Sequence, residues 1–263
     1  MRKYLYIYKT SMIESLQYIT SLILSFISFF LIIFIFINLW DYMYSDGTSL
    51  IAGYTKNQMM WYVLFTEFIW FTTKNRTLIS GISSDVRTGT IAYTINKPYN
   101  YYNYILAKHF GEITINIILY LIISIPLGFI LIGPIPNFNL INIGYIILVF
   151  MIAIIINSII RITISLISFW IEDTAPIHWI YDKIILVLGV IFPIEMFPKI
   201  MQTFIKYSPV FVAIYGPVKL TIDFSMKKFY EILLFQSIYI VIVVTILLVV
   251  YKKGMKKLNV NGG

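Results

Sequence analysis

The feature that most limits how this chain can fold is a set of long stretches without any charged side chain. Residues 15–40, 113–160 and 232–251 contain no Asp, Glu, Lys or Arg. An α-helix crosses the hydrocarbon core of a bilayer with about 20 apolar residues. Each stretch reaches that length, and the middle one is long enough for two crossings. The chain is therefore predicted to be an all-α membrane protein.

The overall composition excludes a soluble domain. Hydrophobic residues make up 59% of the sequence and charged residues 12%, whereas soluble domains are about half apolar and a quarter charged. The formal net charge is +8, but the basic residues cluster at the chain ends and in one loop, which is typical of membrane topology rather than nucleic-acid binding. The sequence has no cysteine and only two separate histidines, so no metal site is predicted.

Six membrane spans are predicted within a single domain that covers residues 1–263. Pro134 and Pro136 divide the longest apolar stretch, because proline lacks the amide donor that a helix needs. An amphipathic segment, residues 1–17, precedes the first span and is expected to lie on the inner membrane surface. The predicted spans are residues 18–40, 57–80, 112–132, 140–170, 178–197 and 230–251.

Two connections between these spans are unusual. Residues 81–108 form the longest polar stretch inside the chain. Residues 198–228, on the outer side, contain an apolar run that is too short to cross a bilayer, so a re-entrant or interfacial segment is predicted there. Four prolines predict broken helices in and beside this outer segment: Pro193, Pro198, Pro209 and Pro217.

The distribution of lysine and arginine predicts that both termini lie in the cytoplasm of a multi-pass cell-membrane protein. The two ends carry seven basic residues, and residues 74–108 add five on the same side. The first outer loop carries only Lys56. Five lysines between residues 199 and 228 lie on the predicted outer side and oppose this assignment. Their weight is reduced by the length of that region and its expected interfacial helices.

Several polar residues fall within the predicted spans. Glu67 should face protein or water rather than lipid, because an ionised side chain is costly in hydrocarbon. Arg161 is expected either to extend toward lipid phosphates or to pair with Glu67 or Glu112. Asn116 and Asn157 are expected to form hydrogen bonds between helices. Any of these residues could instead line a transport pathway.

The stretch at residues 79–98 has the pattern of a helix end, a turn and a new helix start. A compact charged turn of this kind could dock onto a partner protein, or it could be a solvated connector. The residues alone do not separate these two interpretations.

Two motifs, together with the six-span layout, resemble the permease subunits of ABC-2 type transporters. One is residues 85–91 (DVRTGTI) with residues 96–98 (NKP), which is similar to the loop after span two in that family. The other is residues 191–198 (IFPIEMFP) with the later Ser208-Pro209 and Gly216-Pro217 pairs. This sequence has Asp85 and Arg87 where many members have a glutamate just before the glycine.

The resemblance implies that this chain is a transport subunit rather than an enzyme. Two permeases would pair, as a homodimer or a heterodimer, in membrane lipid. A separate ATPase would bind ATP and Mg²⁺, and this chain would hold no cofactor. The proline-rich outer segment would act as a hinge. The residues that the resemblance assigns to a coupling loop against the ATPase are Asp85, Arg87, Gly89, Thr90, Lys97 and Pro98.

Two other functions fit an all-helical membrane protein: a membrane-embedded immunity or anchor protein, and a secondary transporter. A secondary transporter often has internal repeats and acidic residues at the membrane midplane, but no repeat is evident and only Glu67 qualifies. An anchor would not need a long charged loop. The sequence contains no G-x-x-x-x-G-K-[ST] pattern, so ATP binding by a P-loop is not predicted for this chain.

Overall fold

The computed structural model describes residues 2–45, 47, 50–74 and 76–261, and this part of the chain is helical without a β-strand. The prediction of an all-α protein is confirmed for these residues. Short 3₁₀ turns and two π-helical turns lie between the α-helices. The α-helices are α1 (Arg2–Gln17), α2 (Ile19–Met43), α3 (Lys56–Thr73), α4 (Arg76–Arg87), α5 (Ile91–Ile95), α6 (Tyr101–Leu131), α7 (Ile143–Leu166), α8 (Ser168–Ile171), α9 (Ala175–Ile185), α10 (Lys199–Lys206), α11 (Gly216–Ile222) and α12 (Met226–Asn261).

Four helical stretches in the described part are long and apolar enough to cross a membrane. They correspond to predicted spans one, three, four and six, and they cover Ile19–Met43, Tyr101–Leu131, Leu140–Ile171 and Met226–Lys257. Their outward faces carry many exposed Ile, Leu, Val and Phe side chains. These faces suit contact with hydrocarbon, because every backbone polar group inside a helix is already bonded.

Predicted span two corresponds to α3, which is less apolar than the four spanning stretches and is covered by the other helices of the bundle. Most of its side chains are buried, from Met59 to Thr73. A helix covered by protein tolerates polar residues that a lipid-facing helix would not. Its first turn is fixed by a capping box, in which Thr55 and Gln58 bond to each other's backbone amides.

The helix ends around residues 74–112 differ from the predicted span boundaries in two places. Helix α3 ends at Thr73 rather than continuing to residue 80, because Lys74 is extended and places its ammonium 5.5 Å from the Trp70 ring. Helix α6 begins at Tyr101, well before residue 112, and the Asn100 side chain caps it. With 31 residues, α6 is about 46 Å long and exceeds the roughly 30 Å hydrocarbon thickness. Its charged first turns can therefore lie outside the hydrocarbon.

The fifth predicted span, residues 178–197, is a broken helix. Helix α9 continues into a π-helical turn at Leu186–Ile191 and ends at an extended Phe192. A π-helical turn leaves carbonyls without their usual helical partners. Two side chains of α3 satisfy them, because the Tyr62 hydroxyl donates to the Gly189 carbonyl and the Thr66 hydroxyl donates to the Val190 carbonyl.

Helix α1 packs along α6 through a close approach at Gly111. A Cβ built on Gly111 would lie 2.4 Å from the Tyr8 carbonyl oxygen, so no larger residue fits without moving α1. The contact continues through a 2.9 Å hydrogen bond from the Tyr8 hydroxyl to Thr114 Oγ1. The predicted amphipathic segment is thus a helix that rests on α6, with Leu5, Tyr6 and Ile13 exposed on its other side.

Gly111→Val is expected to displace α1 from α6, because overpacking a close contact costs about 1–3 kcal/mol. Trypsin should then cleave after Lys9 faster than in the unmodified protein. The control is Gly144→Val on α7, where an added Cβ meets nothing within 4 Å. Equal cleavage rates in the two variants would show that the Gly111 contact does not hold α1.

Candidate functional site

The segment at residues 85–98, which leads from the end of α4 toward α6, is an exposed polar feature at one end of the bundle. We call it the 85–98 segment. Its apolar side is anchored by the buried Ile91 of α5, and Leu78 and Ile82 are buried in the part of α4 that precedes it. The side chains predicted to dock lie mostly on the opposite, solvent-facing side. Those that are exposed are Arg87, Thr90, Lys97 and Pro98.

The turn between α4 and α5 depends on Gly89. Gly89 has a φ of +73°, a conformation that side chains with a Cβ rarely adopt, and its amide donates to the Val86 carbonyl. Asp85 is half-buried and accepts a 3.2 Å hydrogen bond from Thr90 Oγ1. Asp85 therefore stabilises the turn, and Arg87 is the charged side chain at its surface.

The 85–98 segment is tied to the amino-terminal helix. Lys3 Nζ donates a hydrogen bond to the Pro98 carbonyl. Two residues after Pro98, the Asn100 amide donates to the Tyr4 hydroxyl at 3.0 Å. The sequence had singled out α1 and this segment separately, and the structure brings them together.

A second contact ties α4 to the start of α9. The Ser83 and Thr174 hydroxyls lie 3.0 Å apart in a buried position, and the Thr174 amide also donates to Ser83 Oγ at 3.4 Å. Helix α4 packs on α7 and α8 as well. Sequence reasoning missed this contact, because serine and threonine carry no signal of their partner.

Arg161 and Asp182 form a buried ion pair between α7 and α9. Arg161 Nη2 lies 2.8 Å from Asp182 Oδ1, and the arginine side chain is 1% exposed. The guanidinium also lies near the Trp70 and Tyr181 rings, at 5.8 and 5.4 Å from their centroids. The expectation that Arg161 extends to lipid or pairs with Glu67 or Glu112 was wrong. The bundle buries Arg161, and α9 presents Asp182 to it.

Further polar side chains extend this buried cluster to the end of α3. Asn157 donates to Thr73 Oγ1 at 2.9 Å and accepts from the Tyr181 hydroxyl at 2.8 Å. Ser165 Oγ and His178 Nε2 are 2.8 Å apart. We call Arg161, Asp182 and these residues the inner polar cluster. It links α3, α7 and α9 by hydrogen bonds that hydrocarbon would not satisfy.

The other candidate pathway residues lie on α3 and α6. Glu67 on α3 is 2% exposed and faces protein. Glu112 is half-buried on α6 and lines a cavity of about 50 Å³ between α4 and α6, together with Asp85 and Lys108. Asn116 is half-buried one turn further along α6.

At the opposite end of the bundle, Glu195 connects four parts of the chain. It lies in the 3₁₀ turn after Pro193 and accepts hydrogen bonds from the hydroxyls of Tyr54 at 2.9 Å and Tyr215 at 2.6 Å. Lys219 Nζ lies 3.2 Å from the same carboxylate and 3.9 Å from the Tyr54 ring centroid. A charged cluster that the sequence did not indicate therefore holds these four parts of the chain together.

The candidate hinge prolines surround this cluster. Pro193 precedes the 3₁₀ turn, Pro198 caps α10, and Pro217 stands in the first turn of α11. Pro209 lies in the turn between α10 and the π-helical turn Phe211–Tyr215. Each proline stands at a helix end or a turn, where its missing amide donor is tolerated.

Among the described residues, four helical stretches are long and apolar enough to cross a membrane, which is the architecture of a multi-pass membrane protein. A protein-family profile described as "ABC-2 family transporter protein" matches residues 22–262. The chain therefore belongs to the ABC-2 transporter family, and the resemblance noted in its sequence is confirmed. No curated protein matches it.

Proposed function

We propose that this chain is the permease subunit of an ABC-2 type exporter. It would form the translocation path with a second permease and be driven by a separate ATP-binding subunit. The observation that carries this proposal is the 85–98 segment, which has an anchored apolar side and an exposed polar side. A segment held in this way suits a partner that must push on it, because a displacement at the surface is passed to the helices beneath.

The contacts of α4 and the 85–98 segment support a route for that displacement. Lys3 ties the segment to α1, and Ser83 ties α4 to the start of α9. Helix α9 carries Asp182, whose partner Arg161 lies on α7. The ATPase would supply ATP hydrolysis with bound Mg²⁺, and this chain would bias two arrangements of its helices. The cluster around Glu195 would open and close the outer end.

A second permease would cover part of the exposed apolar surface. Helix α2 has few buried side chains, and its exposed face includes Ile23, Ile27 and Phe34. Lipid can cover such a face, but a translocation path between two copies needs a protein partner on one side.

Both termini are proposed to lie in the cytoplasm, and single cysteines test this orientation in a chain that has none of its own. Leu50→Cys, in the first outer loop, should react with a membrane-impermeant maleimide in intact cells. Tyr93→Cys, on α5, should react only after permeabilisation. Both positions are exposed in the structure. The reverse labelling pattern would overturn the orientation.

Purification of the tagged protein from its native membranes in mild detergent tests the proposed function. A protein with a G-x-x-x-x-G-K-[ST] motif should be enriched in the eluate and identified by mass spectrometry. Its ATPase activity should rise when the permease is present. Recovery of the folded permease after in-cell cross-linking, with no such ATPase attached, would contradict the proposal.

A further inference from the structure

A cavity lies at the outer end of the bundle, between α10, α11 and α12. Its volume is about 650 Å³, within the range of small-molecule sites. It opens beside the Glu195 cluster and is separate from the 85–98 segment and the inner polar cluster. Its charged lining consists of Glu195, Lys199, Lys206, Lys219, Lys228 and Glu231.

The lining has an excess of positive charge. Four lysines face two glutamates, which leaves two positive charges, or one if the adjacent Asp223 is included. Burial would raise the pKa of Asp223, but the hydrogen bonds and charges of Lys228 and Lys219 hold it below its usual value. Both glutamates are already paired, with Lys219 and Lys206. An anion that enters this cavity therefore meets more lysine than acidic side chains.

Lys199 is the lysine of the lining best placed to bind an added anion. It has no ion pair within the described part of the chain, whereas Lys206 and Lys228 each have one and Lys219 has two. Two neutral hydrogen-bonding side chains of the same helix, Gln202 and Thr203, line the cavity beside it. The Gln202 amide and the Thr203 hydroxyl already donate to backbone carbonyls, so the Lys199 ammonium is the donor suited to phosphate oxygens.

The other face of α10 is apolar and exposed. Ile200 is 87% exposed and Phe204, four residues later, is 72% exposed. Residues four apart share one face of a helix. The exposed Leu234 and Ile238 of α12 lie on the neighbouring spanning helix, which α10 contacts through the Lys206–Glu231 ion pair at 2.6 Å. Helix α10 thus has the character of an interfacial helix, with a charged cavity on one side and an apolar surface on the other.

We propose that this outer cavity binds the phosphate group of an anionic amphiphile, whose acyl chains lie along the apolar surface of α10 and α12. The excess of lysine recognises the phosphate. The aromatic residues Tyr207 and Phe211 line the cavity and accommodate the glycerol and upper acyl carbons. The apolar face beside the cavity favours an amphiphile over a free ion as the ligand, because acyl chains can cover that face. The site does not depend on the partner ATPase.

Native mass spectrometry of the purified protein in detergent tests this site with dioleoyl phosphatidylglycerol and dioleoyl phosphatidylcholine as probes. These lipids share their acyl chains and differ in net charge. The protein should retain phosphatidylglycerol in clear preference. Lys199→Glu should reduce that preference by about fivefold or more, because one basic residue near a lipid headgroup contributes about that factor.

The matched control is Lys227→Glu, an equal charge change on the first turn of α12 at an exposed lysine outside the cavity lining. It should leave the preference unchanged. Equal loss in the two variants, or equal retention of the two lipids by the unmodified protein, would overturn the site. Complete displacement of phosphatidylglycerol by the same concentration of inorganic phosphate would overturn the assignment to an amphiphile. These outcomes leave the proposed ATPase partnership untouched, because no ATPase is present.

Discussion

Asp182→Leu is expected to destabilise the protein by about 3–5 kcal/mol, because it leaves a buried charge without a partner. Arg161 lies inside the bundle with a single ion-pair contact, at 2.8 Å. Its Nε and Nη1 atoms have no hydrogen-bond partner within the described residues. The unpaired guanidinium could then be solvated only if water entered the bundle or if α7 and α9 moved apart. The midpoint of thermal unfolding in detergent should fall strongly.

Two controls separate this effect from a general loss of charge. The double variant Arg161→Met/Asp182→Leu should recover most of the lost stability, since replacing a whole buried ion pair with apolar residues is often neutral. Asp41→Asn removes the pair with Lys56, whose side chains are 60% and 48% exposed, and should change stability by less than about 1 kcal/mol. If Asp182→Leu unfolds no earlier than Asp41→Asn, the inner polar cluster does not hold the bundle together.

Replacement of residues 85–89 by Gly and Ser is expected to reduce the ATPase that co-purifies by about tenfold or more. This change removes Asp85 and Arg87 and the turn that presents them. Loss of an anchoring segment at an interface costs more than the 1.4 kcal/mol that corresponds to a factor of ten. The amount of permease in the membrane should stay the same, because the exposed turn lies outside the helices of spanning length.

The matched control for that replacement is a Gly/Ser exchange at residues 137–138. These residues form an exposed turn at the other end of α6, and their exchange should leave the ATPase yield unchanged. An undiminished yield from the 85–89 variant would contradict docking through this segment. An equal loss in both variants would show that the bundle, and not the segment, had been damaged.

The spanning helices could be predicted because they depend on a property of each stretch alone. Residues 15–40 and 232–251 are long and uncharged, and hydrocarbon is their stable surrounding whatever they pack against. Helices α2 and α12 follow from that argument. Helix α3 was predicted only in outline, because its ends are set by Lys74 and by a capping box rather than by hydrophobicity.

The candidate site could be predicted in position but not in contacts. Gly89 and the charges around it indicated a turn, since glycine favours positive φ. The partner of Arg161 could not be found in the same way, because pairing depends on how α7 and α9 are rotated against each other. Asp182 was overlooked inside a predicted span, and Glu195 appeared only as one residue of the 191–198 motif. Both residues are defined by tertiary packing.

The most direct test of the account is a photo-cross-link from the 85–98 segment. A benzoylphenylalanine at Thr88, which is exposed, should form an adduct in intact membranes with a protein that carries a P-loop motif. The same probe at Leu50, at the opposite end of the bundle, should form no adduct with that protein. Adducts with the ATPase at both positions, or at neither position, would contradict the claim that this segment binds the ATPase.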